Sequence, residues 1–298
     1  MPGMAKRKKL FERVVEGLLV LCGSISIFTT LGIIAVLGVE SVLFFRQVSL
    51  YQLLLDSQWT PLFLEKHFGI WPLLAGTVLT SAIALALSVP AGLIIAIYVS
   101  EFAHERSRAM LKPVLELLAG IPTIVYGYFA LLVITPALQK IFPEMGSFNA
   151  LSAGIAMGIM ILPMMASLSE DAIYTVPRSL REGAYALGAS KLQMIFGAVL
   201  PGAVGGITAA IILSAARAVG ETMIVAIAAG QQPLLHFNPL QPVETMTAYI
   251  VQVSMGDTPH GTLEYHTLFA VAMMLFLLTM GLNLISLRIR ERFQRMYR

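Results

Sequence analysis

The sequence has little cysteine, little histidine and little charge. Cys22 is the only cysteine among 298 residues, so neither an intrachain disulfide nor a cysteine-based metal site can form. His236, His260 and His266 lack the spacing of metal ligands, and no metal site is expected. Asp, Glu, Lys and Arg make up 12% of the chain, against roughly 25% in soluble domains. This deficit indicates a protein of the lipid bilayer.

Motifs for catalysis are missing as well. The chain contains no phosphate-binding loop of the pattern G-x-x-x-x-G-K-[ST] and no H-E-x-x-H zinc motif. An enzyme acting inside the bilayer would need a nucleophile with its base, or a metal site, and the long apolar runs contain no histidine. We therefore expect a protein that is not an enzyme and that binds no cofactor itself.

Long apolar runs occupy about half of the chain, which is 57% hydrophobic. A membrane-spanning helix needs about 20 apolar residues. Six runs come close to or exceed that length: 17–39, 71–99, 114–138, 148–168, 202–229 and 267–287. The sequence thus predicts an all-α integral membrane protein with about six transmembrane helices. Because the first run exceeds the 7–15 residues typical of a signal peptide, we expect no cleaved signal.

The distribution of Lys and Arg predicts how these helices are oriented, because cytoplasmic loops are enriched in both residues. With the N-terminus inside, sixteen of them lie in four cytoplasmic segments: 6–13, 106–112, 178–191 and 288–298. Only Arg46, Lys66 and Lys140 then lie outside, and Arg217 lies within a span. We predict that both termini are cytoplasmic and that the basic C-terminal segment contacts anionic lipid.

Residues 182–201, EGAYALGASKLQMIFGAVLP, lie between two spans on the predicted inner side. The segment begins with small residues in a predicted helix and becomes apolar, and we expect the next membrane helix to begin at Leu200-Pro201. The spacing of Glu182, Ala184 and Gly188, with Leu200-Pro201 twelve residues further on, resembles the EAA signature of bacterial ABC importer permeases. Gly183 and Ala198 depart from that signature, where Ala and Ile are usual.

In that family the segment is a coupling helix that docks into a cleft on an ATPase subunit. The resemblance implies such a helix here at about 180–192. The residues implied in the ATPase contact are Glu182, Gly183, Ala184, Leu187, Gly188 and Ala189.

Several further segments resemble the permeases of bacterial phosphate importers. ELLAGIPTIVYGYFAL at 116–131 carries a specific Gly-Ile-Pro-Thr core, and ARAVGETM at 216–223 is similar as well. ETMTAYIVQVSMGDTPHG at 244–261 resembles the C-type permease more than its A-type partner, and its first part predicts a short helix. The resemblance covers about residues 70–298, the expected permease core. Residues 1–69 form an N-terminal cytoplasmic segment, a first transmembrane helix and an outer loop.

The resemblance implies a type I ABC importer permease fold in the bacterial inner membrane. It also implies a second, different permease subunit, two subunits that hydrolyse ATP, and an external phosphate-binding protein, with no nucleic-acid partner. The function implied is ATP-driven import of inorganic phosphate by alternating access. A permease for sulfate or molybdate remains an alternative, as does an ATP-independent secondary transporter, which would show inverted repeats or broken helices.

Arg217 and Glu221 are charged residues within the apolar run 202–229. At about 1.5 Å per residue, Arg217 lies about 24 Å beyond Pro201, past the middle of the bilayer. The four-residue spacing predicts that both lie on one helix face within pairing distance. The pair is either a structural salt bridge or part of the anion pathway, because guanidinium binds oxyanions through two parallel hydrogen bonds. In the phosphate permeases the matching pair is linked to transport.

Weaker pathway candidates surround this pair or follow the kink predicted at Pro122. Their hydroxyl groups offer donors to an anion, although such hydroxyls more often bond to their own helix. They are Thr222, Ser214, Thr123 and Tyr126. Glu170 and Asp171 near the inner end of the fourth run are expected to form a solvated polar face.

Overall fold

A computed structural model describes residues 2–296 and confirms the all-α class. Within that range lie two isolated β-bridges and no extended strand. Arg298, at the end of the basic C-terminal segment, lies outside the described residues. The helices are α1 (Pro2–Gln47), α2 (Leu50–Leu55), α3 (Trp71–Ile97), α4 (Glu105–Ala119), α5 (Thr123–Phe129), α6 (Thr135–Gln139), α7 (Ala150–Tyr174), α8 (Arg178–Ala186), α9 (Lys191–Met194), α10 (Leu200–Val219), α11 (Met223–Ala228), α12 (Met246–Met255) and α13 (Leu263–Met296). Wider π-helical turns occupy Tyr98–Phe102, Ala130–Ile134 and Ile195–Val199.

The number of membrane spans agrees with the sequence. In the described residues, five helical segments are long and apolar enough to cross a bilayer, and a bent pair makes a sixth. The five are Glu12–Gln47, Trp71–Phe102, Ala150–Tyr174, Lys191–Val219 and Leu263–Ile289, and the bent pair is Glu105–Ala119 with Thr123–Gln139. The short helix predicted in the long outer segment is α12. Which side of the membrane holds the termini stays a prediction.

The run 114–138 does not form the single continuous helix that its composition predicts. The chain turns by 86° between α4 and the helices that follow. Gly120 ends α4, and Pro122 begins α5 with an extended backbone (ψ 136°). Proline cannot donate the next helical hydrogen bond, and it disfavours helical geometry at Ile121. The expected kink at Pro122 is therefore a complete break.

The prediction that a membrane helix begins at Leu200-Pro201 is wrong. The span starts at Lys191 and runs through α9, the π-turn and α10 without leaving helical geometry. Ser190 begins it with a capping box, in which its side chain accepts from the Gln193 N–H and Gln193 bonds back. The wide turn directly before Pro201 accommodates the proline ring, which would clash with a carbonyl one turn back in a regular helix.

Close packing of α3 against α7 forms the centre of the bundle. A Cβ atom added at Gly154 would lie 2.6 Å from the Ile83 side chain, and one at Gly158 would lie 2.9 Å from the Ala84 carbonyl. Only glycine fits at such contacts, and small residues let membrane helices approach closely. The central apolar cluster includes Met157, Met160 and Ile161 of α7, together with residues of α5 and α11.

Candidate functional site

Arg217 and Glu221 lie at a second helix break. Arg217 is in the last turn of α10, whereas Glu221 lies in the short link before α11. The two therefore do not share one continuous helix, contrary to the sequence-based expectation. Gly220 ends α10 through its N–H, which donates to the Ala216 carbonyl at 3.1 Å. Glycine at this position is a common helix terminator.

The predicted pairing of the two charges is confirmed. A terminal nitrogen of Arg217 donates to Glu221 Oε2 at 2.9 Å. The two side chains differ sharply in environment, because 43% of Arg217 is exposed and only 2% of Glu221. A guanidinium has five N–H donors in a planar fork, so Arg217 can bind a second oxyanion while it stays paired with Glu221.

Glu221 is held by three further hydrogen bonds. Its Oε1 atom accepts from the backbone N–H groups of Met223 at 3.2 Å and Ile224 at 3.5 Å, so the carboxylate caps the N-terminus of α11. Its carbonyl accepts from the Thr247 hydroxyl of α12 at 2.6 Å. Glu221 thus joins α10, α11 and α12, and it fixes the position of Arg217.

The weaker candidates take different positions. Ser214 is fully buried and donates to the Met165 sulfur at 3.6 Å, not to its own helix. Thr222 is half-buried and lies next to Glu221, with a long hydrogen bond to the Gly220 carbonyl. Thr123 begins α5 and is half-buried. Tyr126 is buried, and its hydroxyl donates across the first break to the Leu118 carbonyl at 2.8 Å, which favours a role in packing over a place in the anion pathway.

The two helix breaks lie close together, because α5 packs against α11. A Cβ atom added at Gly127 would lie 2.9 Å from the Ile227 side chain and 3.3 Å from the Met223 carbonyl. Each break leaves backbone groups outside regular helix, and such backbone occurs in membrane proteins where protein or a cavity surrounds it. An ATP-independent transporter would also predict broken helices, so the breaks alone do not identify the transport mechanism.

A buried acid lies beside the segment that supports Glu221. Glu244 is 1% exposed, its Oε1 atom has no hydrogen-bond partner, and burial raises its pKa to about 8. In the sequence Glu244 lies outside the candidate spans, between the one that ends at Val219 and the one that begins at Leu263. Its charge would act on the ionisable side chain of Tyr249 in α12. Burial also raises the pKa of Tyr249, well above its usual range, so this tyrosine stays neutral.

Glu244 should make the stability of the protein pH-dependent. An unfolded chain releases this proton near pH 4.5, whereas the folded protein keeps it until about pH 8. Stability therefore falls as the pH rises through this window, by at most about 5 kcal/mol at 1.36 kcal/mol per unit of pKa. We expect Glu244→Gln to raise the melting temperature of the purified protein more at pH 9 than at pH 5. Glu65→Gln, an exposed matched control, should change it at neither pH.

The predicted coupling helix at 180–192 is two helices joined by a turn. α8 ends at Ala186, and Gly188 adopts a left-handed conformation (φ 79°). The Gly188 N–H donates to the Tyr185 carbonyl and the Ala189 N–H to the Ala184 carbonyl, the hydrogen bonds of a Schellman helix end. We call residues 178–191 the coupling turn.

The coupling turn presents an exposed surface. Leu187 is 91% exposed and Tyr185 is 48% exposed, so two large side chains of this turn lie on its surface. Of the residues implied in the ATPase contact, Glu182, Gly183, Leu187 and Gly188 are exposed, and Ala184 and Ala189 are half-buried. This surface is available to a partner, and its contact with an ATPase stays a prediction.

Sequence reasoning missed the ion pairs behind the coupling turn. Arg181 bonds to Glu101 at 2.9 Å, and Arg108 bonds to Glu170 at 2.6 Å. Glu170 is therefore not part of a solvated polar face, since its side chain is only 5% exposed. The partners are 80 and 62 residues apart, and no local spacing could have indicated them. The described residues contain no cluster of three or more potential metal ligands.

Comparison with known proteins identifies the family. Residues 88–298 match the model of the "Binding-protein-dependent transport system inner membrane component" family. The chain belongs to this family. It is accordingly a multi-pass inner membrane protein and an ABC importer permease subunit, a class that works with other subunits of the transporter.

Individual relatives within this family include permeases of phosphate transport systems. The probable ABC transporter permease protein YqgH of Bacillus subtilis is 34% identical over 261 residues, which cover 87% of this chain and 84% of that protein. The phosphate transport system permease protein PstC of Mesorhizobium japonicum is 32% identical, covering 77% of this chain and 75% of that one. PstC of Haemophilus influenzae is 30% identical, covering 78% of each. The resemblance to C-type phosphate permeases is thus confirmed.

Solved structures support the type I ABC importer permease fold. The MetNI methionine ABC transporter has a chain with a TM-score of 0.56 at 19% identity, covering 76% of this chain and 94% of that chain. An amino acid ABC transporter gives a TM-score of 0.53 at 17% identity, with 75% and 92% covered. At these identities the likeness shows the fold alone.

Proposed function

We propose that this permease imports inorganic phosphate. The observation that carries the proposal is the exposed guanidinium of Arg217 at the break between α10 and α11, held by the buried Glu221. A planar guanidinium matches two oxygens of a phosphate ion. The names of the PstC relatives support phosphate over other oxyanions.

The acid beside Arg217 suits a transporter. A pathway must bind its ion strongly enough for entry and weakly enough for release. Glu221 competes with the anion for the donors of Arg217, and so it lowers the affinity of the site. Because Glu221 is fixed by α11 and α12, any shift between those helices changes how tightly Arg217 is held. Such a shift would give the site two affinities, as alternating access requires.

We further propose the assembly in which this chain works. The exposed coupling turn would contact one of two subunits that hydrolyse ATP. This chain, whose sequence has no phosphate-binding loop, would bind no nucleotide itself. A second, different permease subunit would cover the exposed side of Arg217, and an external phosphate-binding protein would deliver the ion. Residues 70–298 would form the permease core, and residues 1–69 the N-terminal segment, first span and outer loop.

Uptake by the complete assembly in liposomes tests the proposed substrate. We expect ATP-dependent accumulation of radiolabelled phosphate, unaffected by a tenfold excess of sulfate or molybdate. Vesicles that contain ADP in place of ATP are the matched control and should accumulate none. Uptake of sulfate in preference to phosphate would contradict the substrate and leave the permease class intact, whereas uptake without ATP would favour a secondary transporter.

A further inference from the structure

One side chain of the coupling turn, Arg181, makes most of its polar contacts with the rest of the protein. None of the nine residues of α8 is buried, although Ala184 packs against the apolar cluster beneath it. Arg181 points from α8 into the protein and is 19% exposed. A helix with so little buried surface depends on such polar contacts for its position.

Arg181 makes four hydrogen bonds to two other elements. Its Nε and one terminal nitrogen donate to Glu101 Oε1 at 3.2 and 2.9 Å. The terminal nitrogens also donate to the backbone carbonyls of Ile173 at 2.9 Å and Val176 at 2.5 Å, at the end of α7. Glu101 is 8% exposed and lies in the π-turn that continues α3. Arg181 therefore joins α8 to both α3 and α7.

The same π-turn also contacts the far side of the coupling turn. Phe102 follows Glu101, and the Lys191 ammonium lies 4.4 Å from the centre of its ring. A cation over an aromatic face is attracted to it. Neighbouring residues of one π-turn thus hold the coupling turn at α8 and at α9.

Helix α3 connects this contact with the Arg217–Glu221 site. It runs unbroken from Trp71 to Ile97, about 40 Å at 1.5 Å per residue. At its far end the Thr77 hydroxyl accepts from the Met246 N–H at 3.0 Å. The next residue, Thr247, donates to the Glu221 carbonyl. A shift of α3 along its axis would therefore reach Glu221 through two hydrogen bonds.

We propose that the contact between Arg181 and Glu101 transmits movement of the coupling turn to α3, and through α3 to the carbonyl of Glu221. Arg181 is a positioning residue in this scheme, because it touches neither the anion nor the nucleotide. The inference rests on the proposed function for the identity of the ion and for the contact of the coupling turn with an ATPase subunit. Its first consequence is that a broken contact uncouples ATP hydrolysis from the movement of the site.

The test follows the movement of the site directly. Met223→Cys is introduced together with Cys22→Ser, because Cys22 is the only native cysteine and is exposed. Met223 is half-buried and touches Glu221 only through its backbone N–H, which the substitution keeps. Labelling of the thiol introduced at position 223 by a membrane-impermeant reagent is compared with and without ATP, in the complete assembly. ATP hydrolysis and phosphate uptake are measured on the same liposomes. Arg106→Gln removes an exposed arginine near Glu101 in the sequence and is the matched control.

In this parent and in Arg106→Gln, labelling should change with ATP. In Arg181→Gln and Glu101→Leu, hydrolysis should continue, labelling should no longer respond to ATP, and uptake should fall at least tenfold. Glu101→Leu removes the acceptor of Arg181 at position 101 and leaves its bonds to the carbonyls of Ile173 and Val176 in place, so it tests the contact even if Arg181→Gln does not assemble.

Two outcomes would overturn the inference. One is a Glu101→Leu variant whose labelling and uptake follow ATP as in the parent, and the other is a parent whose labelling does not change with ATP. If the parent responds to ATP and takes up no phosphate, the proposed substrate fails and the coupling contact stands.

Discussion

Phosphate uptake is expected to fall at least tenfold when Arg217 is replaced by glutamine, while the transporter still assembles. Hydrogen bonds to charged groups contribute about 1.5–3 kcal/mol each, and a loss of 1.4 kcal/mol is tenfold in affinity. Glutamine removes the charge and the fork of donors that would meet a phosphate ion. Because 43% of the Arg217 side chain is exposed, replacing it removes few packing contacts, and the variant should still fold and assemble.

The experiment compares Arg217→Gln, Arg217→Lys and wild type for uptake and for ATP hydrolysis in liposomes. Lysine keeps the charge without the planar fork, so we expect an intermediate rate. Arg46→Gln, which removes an arginine at the end of α1, should transport normally and is the matched control. Equal uptake by wild type and Arg217→Gln would reduce the pair to a structural salt bridge and leave the family unchanged.

Composition and charge predicted the all-α class of this fold, because the lipid bilayer constrains both the hydrophobicity and the secondary structure of a chain that crosses it. Apolar runs of about 20 residues must be helical in lipid, where no water satisfies the backbone. The breaks were not predictable from hydropathy, since 114–138 and 202–229 remain apolar across Gly120 and Gly220. At each break a glycine ends one helix, and either Pro122 or the carboxylate of Glu221 begins the next.

The candidate site was predictable in its residues but not in its geometry. Arg217 and Glu221 stand out because charge is rare in apolar runs. The carbonyl of Glu221 accepts from the hydroxyl of Thr247, which lies 26 residues further along the chain. Long-range contacts of this kind leave no periodic signal. Glu101 could not be predicted as the partner of Arg181 for the same reason, since the two lie 80 residues apart.

Glu221→Gln should slow transport while tightening the hold on the ion. The amide oxygen of glutamine can still accept from the N–H groups of Met223 and Ile224, so the cap on α11 remains. The negative charge that competes for Arg217 is lost, and the guanidinium then binds the anion alone. We expect a lower apparent KM for phosphate together with a maximal rate about tenfold lower, because release becomes slow.

Glu221→Ala separates the two roles of the side chain. It removes the cap as well as the charge, and loss of a helix cap costs about 1 kcal/mol. We therefore expect a lower melting temperature for Glu221→Ala than for Glu221→Gln, with both variants impaired in maximal rate. A Glu221→Gln variant with wild-type KM and maximal rate would show that this carboxylate only caps α11. Arg217 would then bind the ion without competition from its acidic neighbour, and the release of phosphate would depend on the movement of α10 alone.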